Sequence, residues 1–189
     1  MRSEFTPRRQ PTRRPEVVEL FSGAGLFGLA FQMQGFRLRM AYERDSAAAA
    51  TYARNLGGGV KVCDLATQKP EGRADVIIAG PPCQGYSSLG RRDPDDPRNA
   101  LALVIPHWAR ALKARVVVVE NVAQFLKSPI WDRLQCRFSD LGYETFTWVV
   151  DASDFGAPQR RVRSFTVFSK VGKPGFCAAS GSPSTKVNS

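Results

Sequence analysis

Short continuous apolar runs alternate along this chain with longer stretches of helical spacing, and glycine- and proline-rich breaks separate them. Residues 17–21 (Val-Val-Glu-Leu-Phe) predict a strand, followed by a glycine turn and a helix over 26–34. A second strand over 39–42 leads to a second, alanine-rich helix over 46–55. Residues 61–63 predict a third strand and 74–79 (Ala-Asp-Val-Ile-Ile-Ala) a fourth. The segment 80–97 carries too much Gly, Pro and Asp for regular structure. Helical spacing returns over 101–112, and the four valines at 116–119 predict a strand buried on both faces. A helix over 130–141 and strands over 143–150 and 164–168 complete the series, and no internal repeat is present. This alternation predicts an α/β fold, an open and mostly parallel sheet with helices on both faces. Residues 1–16, with their interspersed Arg and Pro, read as a basic disordered arm, 17–168 as one domain and 169–189 as a flexible tail.

Composition narrows the partners. With 43% hydrophobic residues over 189 positions, the chain can bury the core of one domain. It contains neither an apolar run of membrane-spanning length nor a signal peptide, so an intracellular location, cytoplasm or nucleoid, is expected. A formal net charge of +10 favours a polyanionic partner, nucleic acid first. The 4 cysteines form no Cys-x-x-Cys pair and the single histidine is His107, so no metal site and no disulfide framework are expected.

The candidate chemistry sits at the ends of the predicted strands. Gly23-Ala24-Gly25-Leu26-Phe27-Gly28 matches G-x-G-x-x-G after a strand and before a helix, and Glu43 ends the next strand, where a ribose-binding acid belongs. That pair describes a nucleoside pocket and leaves the cofactor open between NAD and S-adenosylmethionine. Asp64, at the tip of the third strand, is placed to meet an adenine amino group or to serve as a turn aspartate. Gly80-Pro81-Pro82-Cys83-Gln84 follows the fourth strand directly, and two prolines stiffen the backbone that carries Cys83 to the carboxyl edge of the sheet. A nucleophilic thiolate is the functional reading of such a cysteine. Glu120-Asn121-Val122 ends the valine strand, and if the fourth and fifth strands are neighbours, Glu120 and Cys83 face one crevice. Arg161 and Arg163 alternate before the last strand and would lie on one side of it, aimed at a phosphate or at a reacting base.

In this order, Phe21-Ser22-Gly23-Ala24-Gly25, Glu43, Cys63-Asp64, Pro82-Cys83-Gln84, Glu120-Asn121-Val122 and Gln159-x-Arg161-x-Arg163 resemble the blocks of the cytosine-5 DNA methyltransferase family. The resemblance implies a Rossmann-like methyltransferase fold with S-adenosylmethionine as cofactor, double-stranded DNA as partner and a role in DNA methylation and restriction-modification. It implies cofactor binding by Phe21, Gly23, Gly25, Glu43, Asp64 and Pro81, and catalysis by Cys83, Glu120, Arg161 and Arg163. Cys83 would add to carbon 6 of cytosine while Glu120 bonds ring nitrogen 3, the base being flipped out of its duplex and covered by the loop 85–97. Leu26 departs from the family, which often has another glycine there. The family also continues past the arginine block into a target-recognition region and two further blocks. Three readings account for this: a truncated remnant, half of a split enzyme whose complementary subunit carries the missing blocks, or a minimal enzyme. A dinucleotide-dependent oxidoreductase, a non-catalytic nucleic-acid binder and a tRNA-directed family member are the competing functions.

Overall fold

The computed structural model describes residues 13–57, 59–82 and 97–175, so Cys83 and most of the expected lid over 85–97 lie outside the described residues. Seven strands form one sheet: β1 (Glu16–Leu20), β2 (Arg37–Glu43), β3 (Val60–Val62), β4 (Val76–Ala79), β5 (Val116–Asn121), β6 (Glu144–Asp151) and β7 (Val162–Ser169). Their order is β3-β2-β1-β4-β5-β7-β6. The first five strands are parallel, and β7 runs antiparallel to both β5 and β6. A hairpin return from β6 reverses β7 and wedges it beside β5, which apolar content alone does not encode.

Among the described residues, four α-helices flank the sheet: α1 (Leu26–Met33), α2 (Ser46–Leu56), α3 (Ile105–Ala111) and α4 (Pro129–Asp140). The helix expected over 101–112 is two pieces, a 3-10 segment at Pro97–Val104 and then α3. Pro106 explains the break. It has no N–H for the carbonyl four residues back, and its ring would clash with that carbonyl in a continuous α-helix. Asp45 starts α2 by accepting from the Ala47 and Ala48 amides, and Ser128 starts α4 by accepting from Trp131.

Side chains alternate between the sheet faces. On one face Val18, Leu20, Ile77, Val117 and Val119 pack with Trp108, Leu134 and Phe138 beneath α3 and α4. On the other, Val17, Val76 and Ile78 meet Phe27 and Phe31 of α1. The central strands β1 and β4 are buried on both faces; β5 is not. Val117 and Val119 are buried while Val116 and Val118 are half-buried, because the α1 side covers this end of the sheet more thinly. Helix α1 is apolar around most of its circumference, yet Gly28 is its one buried residue, and Leu26 and Met33 are 80% and 75% exposed.

Ordered contacts begin before residue 17, since Arg13 forms a two-pronged ion pair with Asp75 at 2.7 and 2.8 Å. They also continue past residue 168: β7 ends at Ser169, and the Lys170 amide donates to the Arg115 carbonyl at 2.9 Å. No helix among the described residues is long and apolar enough to cross a membrane.

Phe138 is fully buried and stacks on Phe168 with ring centroids 3.9 Å apart. Phe138→Ala is expected to cost about 3–5 kcal/mol in urea unfolding. A loss below about 1 kcal/mol would show that this ring stack does not hold α4 to the sheet.

Candidate active site

The carboxyl ends of β1, β2, β3 and β4 open onto a cavity of about 530 Å³ lined by Phe21, Tyr42, Glu43, Arg44, Asp45, Cys63, Asp64, Leu65, Gly80, Pro82 and Leu101. Three of the expected cofactor residues, Phe21, Glu43 and Asp64, therefore share one cavity. Pro82 is its wall at the end of β4, and Pro81 is not. The Pro81 carbonyl accepts a 3.3 Å bond from the buried Asn121 side chain.

The turn after β1 bends sharply at Phe21, which has a φ of 57° that side chains rarely adopt. Glu43 anchors this turn from the next strand: its Oε2 accepts from the Gly23 amide at 2.7 Å, and its Oε1 from the Arg44 and Asp45 amides at 2.7 and 2.8 Å. A carboxylate offers about four acceptor positions, so one stays open toward the cavity and a second ribose bond would displace a backbone amide. Asp64 uses Oδ1 to accept from the Ala66 amide at 2.9 Å.

The glycines have different duties. A Cβ at Gly23 would meet nothing within 4 Å. One at Gly25 would lie 2.6 Å from Leu56 and 2.7 Å from the Tyr52 ring, and one at Gly28 would strike Glu19. Gly25 and Gly28 thus let α2 and β1 press against the turn, while Gly23 alone faces open space. In sequence the three are indistinguishable.

Beneath the turn lies Glu19, 2% exposed, with Oε1 accepting from the Gly28 amide at 3.0 Å and Oε2 making no well-formed hydrogen bond, the Tyr52 hydroxyl being its polar neighbour. Sequence reading placed it inside an apolar strand and gave it no role; the signal was a single acid in an otherwise apolar run. Burial pushes its carboxyl up to about 7, against the opposing pull of the Gly28 amide and the neighbouring Tyr52 hydroxyl.

A second cavity, of about 490 Å³, is lined by Glu120, Val150, Ala152, Phe155, Ala157, Arg161, Arg163 and Phe165. Both expected arginines and the expected acid meet here. Strand pairing explains why, since Glu120 lies opposite Phe165 in the antiparallel β5–β7 ladder. Arg163 Nε is 3.1 Å from Glu120 Oε1. The Arg161 amide donates to Asp151 at 2.8 Å, which fastens the arginine turn to the end of β6. Burial raises the Glu120 carboxyl above its ordinary range, although Arg163 and Arg161 pull it down. The walls contributed by β6, β7 and the turn between them (Val150, Phe155, Ala157, Phe165) escaped sequence reading because they have no motif.

The two cavities adjoin. Gly80 lines the first and Glu120 the second, and a Cβ at Gly80 would come 3.8 Å from Glu120 Oε2. Cys83 follows Pro82, a wall of the first cavity, by one position. β4 and β5 are parallel neighbours, as the shared-crevice expectation required.

The family profile described as C-5 cytosine-specific DNA methylase matches residues 16–183. The chain belongs to this family. It is 33% identical over 171 residues to type II methyltransferase M.DdeI of Desulfomicrobium norvegicum, a match covering 84% of this chain and 41% of that protein. With type II methyltransferase M.HindV of Haemophilus influenzae it shares 35% identity over 164 residues, covering 84% and 53%. The chain therefore spans about half the length of these relatives. Among solved structures, the methyltransferase EhMeth of Entamoeba histolytica superposes with a TM-score of 0.74 at 20% identity, covering 91% of this chain and 58% of that one. The fold is that of the Rossmann-like S-adenosylmethionine-dependent methyltransferases.

A folded-state pKa near 7 at Glu19, against 4.5 unfolded, makes this group's contribution to stability fall as pH rises from about 4.5 to 7. In that window the folded chain keeps a proton that the unfolded chain releases; above it the loss is complete and amounts to about 3 kcal/mol. Glu19→Gln is expected to flatten this part of the stability–pH profile. An unchanged slope in denaturant melts from pH 4.5 to 7.5 would remove Glu19 as its source.

Proposed function

We propose that this chain carries the catalytic part of a cytosine-5 methyltransferase acting on double-stranded DNA, with S-adenosylmethionine in the first cavity and a flipped cytosine in the second. The observation that carries the reading is the junction of the two cavities at Gly80 and Glu120, with the cysteine of the Pro-Cys motif next in the chain after Pro82. The donor-side residues fit the cofactor. Phe21, Leu65, Pro82 and Leu101 supply apolar walls for adenine, Asp64 an acceptor for its amino group, and Glu43 an acceptor for ribose hydroxyls. When bound, S-adenosylmethionine supplies an electrophilic methyl group.

On the acceptor side, the Cys83 thiolate adds to carbon 6 of cytosine. Glu120, held toward its protonated form by burial, donates to ring nitrogen 3 and stabilises the electron-rich ring. Once carbon 5 carries the methyl group that the bound cofactor would supply, its proton would pass to solvent and Glu120 would take back the ring nitrogen 3 proton. The carbon–sulfur bond would then break to return the Cys83 thiolate. Arg163 keeps Glu120 oriented, and Arg161 stands at the cavity wall where the target nucleotide would enter. Flipping the base out of the stack gives the ring access to the second cavity.

The exposed apolar stripe of Leu26, Leu29 and Met33 on α1, spaced i, i+3, i+7, supports a covering polypeptide segment, whether from this protein or from a complementary subunit.

Two experiments test the proposal. In duplex DNA containing 5-fluorocytosine, carbon 5 has no proton to lose. The expected product with S-adenosylmethionine is a denaturation-resistant protein–DNA adduct that is absent in Cys83→Ser; a wild-type chain that binds this DNA without forming an adduct contradicts the covalent step. Glu43→Ala is expected to weaken cofactor binding roughly 10- to 100-fold by calorimetry, since it removes charged acceptors and the anchor of the Gly23 turn. An unchanged Kd would remove Glu43 from the cofactor site.

A further inference from the structure

At the opposite edge of the sheet, where β5 begins and β7 ends, Arg110, Lys113, Arg115 and Lys170 surround a groove of about 210 Å³ whose remaining lining includes Ala109, Ala114, Leu141 and Tyr143. All four cations are exposed, and among the described residues none has a carboxylate partner within 4.0 Å. Of the acids near this edge, Asp75 is engaged by both prongs of Arg13 and attracts Arg115 without forming an ion pair with it. Glu144, which starts β6 opposite Ser169, forms no ion pair among the described residues. The floor is rigid: the buried Tyr143 hydroxyl donates to the Ala114 carbonyl at 2.6 Å, and Lys170 Nζ lies 4.5 Å from the Tyr143 ring centroid.

Lys113 adds a second, independent observation. It ends α3 in a Schellman arrangement, its own amide donating to the Arg110 carbonyl at 3.2 Å and the Ala114 amide to Ala109 at 3.0 Å. The position that closes this motif takes a left-handed backbone, and Lys113 has a φ of 56° where glycine is the usual residue. A lysine held in a left-handed backbone, lining a groove with three further exposed cations that form no ion pair among the described residues, is chemistry suited to an anion.

We propose that this groove binds the phosphodiester backbone of a DNA segment other than the one presenting the target base. Arg115 precedes β5 and Glu120 lies near its far end, five residues on, so groove and acceptor cavity stand about 16 Å apart at roughly 3.3 Å per residue. The inference rests on the reading of DNA as partner and goes beyond it, since no step of methyl transfer uses these residues.

The test is binding of the full chain to a fluorescent duplex as a function of salt, comparing wild type with Lys113→Gly/Arg115→Ala. Glycine suits the left-handed backbone, so this variant should fold at least as stably at that turn. Its log Kd against log salt slope is expected to shrink by roughly 1.8, about 0.9 for each phosphate contact removed, with S-adenosylmethionine binding unchanged. Arg54→Ala/Arg133→Ala removes the same charge elsewhere and should leave the slope near wild type. A wild-type slope in the groove variant, or an equal loss in both pairs, would overturn the groove as a site. Absence of any wild-type DNA binding would instead remove the DNA reading, and the groove with it.

Discussion

The 3.3 Å bond from the Asn121 side chain to the Pro81 carbonyl joins the carboxyl ends of β4 and β5, and both cavities depend on that junction. Parallel pairing brings the two strand ends to one edge; the asparagine fixes how the chain leaves β4. Asn121 is itself locked, its side-chain oxygen accepting from the Val122 amide at 2.8 Å and its main-chain carbonyl accepting from Ser164 Oγ at 3.2 Å. β7 thus braces the same residue that holds the proline segment. With Pro82 on one cavity wall and Glu120 on the other, the two cavities share a boundary set by strand geometry.

The first cavity rests on an arrangement that works against stability. Glu19 is buried with one carboxylate oxygen making no well-formed hydrogen bond, and it directs the Gly28 amide at the start of α1. Such a group disfavours the folded state at neutral pH, yet it defines the path of the glycine turn that also bonds to Glu43. Gly25 and Gly28 are needed because Tyr52, Leu56 and Glu19 fill the space a side chain would take. The motif that reads as a ligand cradle is in larger part a packing solution, with Gly23 as the exception.

What was legible in the sequence follows from range. The parallel core was readable because β1 and β4 are buried on both faces, β4 appearing as an unbroken apolar run and β1 as one interrupted by Glu19. The break before α3 was signalled by Pro106 but obscured by the apolar spacing around it. The reversal of β7 was not legible, since a strand's direction depends on the hairpin that precedes it. For the site, Glu43, Asp64, Glu120, Arg161 and Arg163 each stood out locally, whereas the Arg163–Glu120 contact follows from the β5–β7 register across more than forty residues. Glu19 stood out only as a lone acid in an apolar strand, and Asn121 and Lys113 had no local signature of their roles; burial, a distant carbonyl and a backbone angle reveal them.

The central claim is that the adjoining cavities are the donor and acceptor halves of one methyl-transfer site. Its most direct test is transfer of labelled methyl from S-adenosylmethionine to unmethylated double-stranded DNA by the purified chain, with Cys83→Ser alongside. The account predicts label on carbon 5 of cytosine that disappears in the variant. Label that survives Cys83→Ser, or a folded chain that binds both cofactor and DNA and transfers nothing, would contradict it.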